Sequence, residues 1–242
     1  MDIVDNQGKR IDSLAAWAKL YQSPRSAQQW KEHRSAYSMA EFILHRDGAS
    51  TLRARIADAL GEAVEFDKAI PEREIRFDAF GRGRMHDLGI YGRTGSGKSL
   101  FVGVEAKVDE PFGALVREAY LTAKARQIAG ESTNAPERIE QLLKLHFPAP
   151  DPSVFEVRYQ LLYATAGTLA AGTDISVLYI VVFKTPLYSE IISAENYRDY
   201  VDFMAKAGAS PLKLSSKEAQ GHKLLLGGKE LVCLHEHFDL RG

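Results

Sequence analysis

The feature that most constrains this chain is a pair of alternating runs on either side of a glycine-rich turn, between residues 87 and 108. In the first run Leu88 and Ile90 alternate with Asp87, Gly89 and Tyr91. In the second, Val102, Val104, Ala106 and Val108 alternate with Phe101, Gly103, Glu105 and Lys107. A period of two marks strands with one face against a core. The residues between them, GRTGSGKS at 92–99, are turn formers, so the two runs read as a β-hairpin. Folding that hairpin symmetrically about Ser96 sets Asp87 opposite Glu105, Gly89 opposite Gly103 and Tyr91 opposite Phe101. Side chains opposed in this way have Cβ atoms about 4.5–5.5 Å apart. Two carboxylates at that distance raise each other's pKa unless a cation lies between them. Lys107 projects from the same face.

The same letters admit another reading. Gly92, four intervening residues and then Gly97-Lys98-Ser99 fit the phosphate-binding P-loop. A working P-loop continues into a helix whose N-terminus faces the phosphates. Here the chain continues from Ser99 as LFVGVEAKV, rich in β-branched and aromatic side chains, which favours a strand. The later apolar run ISVLYIVVF ends in Lys184 and not in an acidic residue that would serve as a second magnesium-binding element. The hairpin is therefore the preferred reading, and a nucleotide site at Gly92–Ser99 stands as the alternative.

That later run, residues 175–183, is apolar almost without interruption, as expected of a strand buried on both faces. A helical stretch over 155–172, ending at Gly172, precedes it. Strand, helix and buried strand in that order form a crossover unit, which predicts a three-layer α/β/α sandwich around a central mixed β-sheet. The whole of 1–242 reads as one domain. Residues 1–32 form an N-terminal extension anchored by Trp17, Tyr21 and Trp30, residues 33–183 the core, and residues 184–242 a helix and a hairpin turned at Gly227-Gly228. Within the core, Ser35 is placed to cap a first helix, and a second ends at Gly61. Residues 72–80 alternate as a strand with Ile75, Phe77 and Ala79 inward and Asp78 exposed. A long helix over 114–129 should face Leu115, Ala119, Leu121 or Thr122 and Ala125 inward, and Pro136 opens another.

An Asp on one strand and Glu-x-Lys on the next resembles the PD-(D/E)XK nuclease superfamily. The resemblance implies a restriction-endonuclease-like fold and a metal-dependent phosphodiester hydrolase acting on nucleic acid, with DNA the expected form. It implies Asp87 and Glu105 as ligands of magnesium, or of manganese, and Lys107 as the residue that positions or activates the attacking water. His86 stands where the superfamily usually has proline, at a position that varies. Glu41, on the first core helix, matches an acidic residue that reaches the metal site from the side, the plain alternative being a solvated glutamate. Arg158 and Gln160 correspond to polar residues that line a substrate groove, or else are structural. A non-catalytic binding protein on the same fold is the alternative function, and a homodimer would suit an enzyme that cuts both strands.

Composition narrows this only modestly. A net charge of −1 provides no global basic field for nucleic acid, so any such surface must be local. The single cysteine, Cys233, excludes an internal disulfide and lies in an apolar run where burial suits it. No apolar run reaches membrane-span length and the N-terminus lacks a signal-peptide pattern, so a cytoplasmic protein is expected. His235 and His237 are spaced for zinc but have no third ligand nearby, and are read as solvent-facing histidines of an edge strand. Asp109 and Glu110 either extend the acidic site or are solvated charges at a strand end.

Overall fold

The apolar run forms strand β5 (Ile175–Lys184) at the centre of a mixed sheet in a computed structural model that describes residues 1–23, 27–149, 151–216 and 219–241. Its neighbours are β4 (Ser99–Lys107) and β8 (Lys229–Asp239), both parallel to it. On the β4 side the sheet continues antiparallel through β3 (Arg84–Thr94) and β2 (Val64–Ile75), and β1 (Asp2–Ile3) adds a short parallel edge. On the other side β7 (Gln220–Leu226) and β6 (Ser210–Leu212) complete the order β1-β2-β3-β4-β5-β8-β7-β6. Parallel pairing of β4 with β5 needs a crossover, and the helices between them supply it.

Helices cover both faces. On one lie α1 (Leu14–Ala18), α2 (Ser35–His45) and α3 (Gly48–Leu60), whose Trp17, Met39, Phe42, Leu52 and Ile56 pack on Leu88, Ile90, Val102 and Val104. On the other lie α4 (Val116–Ile128), α5 (Ala135–His146), α6 (Tyr159–Leu169) and α7 (Glu190–Lys206), packed on Leu178, Ile180 and Cys233. The three layers predicted from the crossover pattern are present. No helix among the described residues is long and apolar enough to cross a membrane.

The hairpin forms in the expected register, with Gly89 opposite Gly103 and Tyr91 opposite Phe101. Residues 99–107 are strand, so the helix that a P-loop requires after Ser99 is absent. Four other expectations need correction. The strand placed at 72–80 runs from Val64 to Ile75, because Pro71 is tolerated where β1 no longer pairs with β2. Beyond it Asp78 is not exposed but ion-paired to Arg138, whose guanidinium also donates to the carbonyls of Phe80 and Arg82. Helix α4 buries Val116 and Ala123 and leaves Leu121 exposed, since its scattered alanines give no clear apolar stripe. Ser35 is the first residue of α2, and Arg34 holds the cap position without a side-chain bond to the helix end.

The histidines of β8 also depart from expectation. β8 is an interior strand, so His235 is buried against Tyr197 and Tyr200, and His237 exchanges a hydrogen bond with Ser193 Oγ at 2.8 Å. The hairpin with β7 was legible, but its place beside β5 was not.

Candidate functional site

The site grows out of the strand register. Pairing of Pro71 with Leu88 and of Arg73 with His86 sets Glu72 beside Asp87. Pairing of Leu88 with Val104 brings the other flank of Asp87 to the end of β4, where Glu105 and Lys107 stand. Three carboxylates on three adjacent strands thus lie in one row at the carboxyl end of β4. That end of a parallel strand is where α/β sheets commonly leave a crevice. A cleft of about 430 Å³ opens there, with Tyr21, Glu72, Arg84, Asp87, Lys107 and Gln160 in its wall.

The regular ladder stops at Leu88, and Asp87 does not stand face to face with Glu105 as a symmetric hairpin would have it. Its Oδ2 accepts instead from the Ala106 backbone N–H at 2.7 Å. The direct partners of Glu105 are Arg84, through Nε at 3.1 Å and through Nη2, and His86, through Nδ1 at 3.0 Å. The room for this comes from two glycines. A Cβ at Gly103 would sit 2.7 Å from the His86 ring, and one at Gly167 would sit 2.5 Å from Arg84 Cβ. Gln160 ties the group together, donating from Nε2 to Glu105 Oε2 and accepting from Lys107 Nζ, each at 3.2 Å.

The electrostatics of the row are uneven. Burial would raise Glu105, but Arg84 and then His86 hold it down at about 2. Asp87 is pushed up to about 8, first by burial and then by Glu105 and Glu72. Glu72 is raised as well, by burial and then by Glu105, while the Tyr21 hydroxyl donates to it and opposes the rise. Burial lowers the pKa of His86 against the pull of Glu105, so the ring is neutral and donates from Nδ1. Glu72 takes a left-handed backbone, φ 49°, a strained state for a residue with a side chain.

Of the residues expected at the site, Asp87, Glu105, Lys107 and Gln160 are brought together. Glu41 is not, for it pairs with Arg46 at 3.2 Å and lies outside the wall of the cleft. Arg158 is also elsewhere, bound to Asp199 and to the Gly113 carbonyl, each at 2.7 Å. Asp109 pairs with Arg34, and Glu110 turns its carboxylate onto the N–H groups of Val108 and Asp109. Sequence reasoning missed Arg84, Glu72 and Tyr21. Gly103 opposite the β3 strand was a legible signal that something bulky comes close there, but not that it would be His86.

Among the described residues no three His, Cys, Asp or Glu side chains are arranged to hold a metal ion. The donor chemistry nevertheless suits a hard cation, which takes one or two carboxylates and completes its shell with water and phosphate oxygens. Asp87, raised by burial and then by its acidic neighbours, is a carboxyl that a nearby cation would favour in its ionised form. Glu105 has both oxygens engaged, and would have to give up Arg84 to join it.

Fold and site together define an α/β protein with one mixed eight-stranded sheet and a charged cleft at the end of its central strands. The chain belongs to the family described as a domain of unknown function (DUF6946), whose profile matches residues 10–233. No curated protein and no solved structure matches it.

Proposed function

We propose that the cleft is the centre of a magnesium- or manganese-dependent phosphodiester hydrolase of nuclease type, built on a restriction-endonuclease-like core and acting on nucleic acid. The observation that carries this reading is the row Glu72, Asp87 and Glu105 on three strands beside an open cleft, with Lys107 linked to it through Gln160. Asp87 and Glu105 would hold the cation. When bound, such an ion lowers the pKa of an attacking water and offsets charge on the phosphate. Lys107, held by the Gln160 amide and the Pro111 carbonyl, would supply a positive charge next to the phosphate. Tyr21 and Glu72 wall the cleft from the β2 side.

One observation favours a second reading, a non-catalytic binding protein on the same fold. Both oxygens of Glu105 already have partners in Arg84, His86 and Gln160. Calorimetric titration of Mg²⁺, paired with cleavage assays on single- and double-stranded DNA and on RNA, separates the two. Asp87→Ala should abolish cation binding and lower cleavage by about a thousand-fold or more, the loss of about 4 kcal/mol of transition-state stabilisation. Cation binding that needs Asp87, with every substrate left intact, selects the binding protein. Absence of cation binding overturns the hydrolase.

A further inference from the structure

Arg84 differs from the two arginines that clamp loops, Arg138 and Arg158. Arg138 and Arg158 each bond a carboxylate and also backbone carbonyls, so each clamps a loop. Among the described residues Arg84 directs its hydrogen bonds at Glu105 alone, through Nε and Nη2. Its Cζ also lies over the face of Tyr163, 4.9 Å from the ring centre. The stem is fixed where α6 passes over it at Gly167, and the residue lines the cleft. A sliding contact with an aromatic face leaves the head free to move a short way without giving up a second hydrogen-bond partner.

The lone pairs used by Arg84 are the ones a cation would need. Oε1 of Glu105 takes Arg84 Nε and His86 Nδ1, and Oε2 takes Arg84 Nη2 and Gln160 Nε2. Arg84 and a divalent ion therefore compete for one carboxylate. An unpaired buried carboxylate is costly, so Arg84 leaves only when another positive charge takes its place. The planar fork it frees is the geometry that suits a phosphate oxyanion.

We propose that Arg84 is an exchangeable counter-cation, which holds Glu105 while the cleft is empty and passes to a phosphate oxyanion as a divalent cation takes over Glu105. The inference rests on the cation-site reading above and adds the ligand class, an anionic phosphate group, that Arg84 receives. Its consequence is that cation and phosphate bind cooperatively. Each strengthens the other by the same factor, because coupling between binding sites is reciprocal.

The test is calorimetry of the full chain with Mg²⁺, with and without inorganic phosphate, corrected by a protein-free titration for association of the two ions. In the wild type, phosphate should tighten Mg²⁺ binding at least about five-fold, the lower end of ordinary site-to-site coupling. Arg84→Met should tighten Mg²⁺ binding by a similar factor without phosphate and abolish the phosphate effect. Arg84→Lys, which keeps the charge and loses the fork, should lie between. Mg²⁺ binding that depends on Asp87 but shows no phosphate coupling in the wild type overturns the role of Arg84 and leaves the cation site standing. That wild-type result decides the matter even where Arg84→Met does not fold. An Arg84→Met protein that binds Mg²⁺ no more tightly than the wild type, with coupling intact, also overturns it. No Mg²⁺ binding in either protein removes the exchange and the cation site together.

Discussion

Glu105 and Glu236 are close to a matched pair. Each lies on a central strand, is 1% exposed and is bonded to an arginine. Glu236 accepts from Arg55 Nε at 2.9 Å and from the Tyr179 hydroxyl at 2.5 Å, beneath the α1–α3 layer. Glu105 accepts from Arg84, His86 and Gln160, on the opposite face of the sheet. The difference lies in the next strands over. Beside Glu105 stand Asp87 and Glu72, whose proton affinities rise with burial and then in its field, and a cleft opens at those two residues. Beside Glu236 stand a phenol and a guanidinium that answer its two oxygens. Burial and an ion pair alone do not make a site. What sets Glu105 apart is convergent charge beside an opening.

The comparison breaks most readily at Glu236. Glu236→Ala removes one member of a buried pair and leaves the Tyr179 hydroxyl, which is fully buried, without its acceptor. Losing one partner of a buried pair costs about 3–5 kcal/mol, and the lower end applies here because Arg55 is partly exposed and can turn to solvent. Urea unfolding should show that loss while Mg²⁺ binding stays as in the wild type. A Glu236→Ala protein that folds normally but binds Mg²⁺ poorly would show that the two glutamates serve one site.

A smaller effect tests the strain of the Glu72–Asp87–Glu105 row. Asp87 is raised in the fold to about 8, against about 3.9 for an unfolded aspartate. Between those values the folded state carries a proton that the unfolded state has lost, so this group makes stability fall as pH rises. Asp87→Asn removes that slope and keeps an acceptor for the Ala106 N–H. It should match the wild type near pH 4 and below, where both states hold the proton, and exceed it above pH 8 by on the order of 1–3 kcal/mol, read from urea midpoints without divalent cations. Glu105, held at about 2, has the opposite sign: the stability it contributes is present above about pH 4 and is lost as pH falls toward 2. Parallel pH curves for Asp87→Asn and the wild type would mean that the row is not strained.

How much of this was legible depends on how local the cause was. The hairpin could be read because alternation and turn chemistry lie within about twenty residues of sequence, and so could the buried β5, whose apolar run leaves no polar face. Asp87, Glu105 and Lys107 came from that register. Glu72 did not: it falls at the start of the strand expected over 72–80, because Pro71 reads as a strand breaker and hides the half of β2 that precedes it. Arg84 and His86 were hidden by the irregular end of the ladder, where Asp87 bonds the β4 backbone and two residues close before it reach Glu105. The histidines of β8 were misplaced because strand order is set by long-range pairing. No local pattern says that β8 returns to lie beside β5.

The smallest expected effect concerns the letters that suggested a phosphate loop. The hairpin tip is closed by Thr94 N–H to the Lys98 carbonyl and by Gly97 N–H to the Thr94 carbonyl, both at 2.9 Å. Gly97 has φ 82°, which a glycine adopts without strain. Ser99, the residue a P-loop would turn toward magnesium, instead bonds Asp174 through its N–H and its hydroxyl. Only the backbone of Lys98 takes part in this closure, and the residue is exposed. Lys98→Ala should therefore change stability by no more than about 0.5 kcal/mol and leave Mg²⁺ binding intact. ATP should bind neither protein, because the backbone N–H groups of Thr94, Gly95, Ser96, Gly97 and Ser99 are already bonded, within the tip or to Ala63, Glu62 and Asp174, and no helix N-terminus comes after them. ATP binding in the wild type that disappears with Lys98→Ala would move the functional centre from the Asp87 end of the hairpin to its tip.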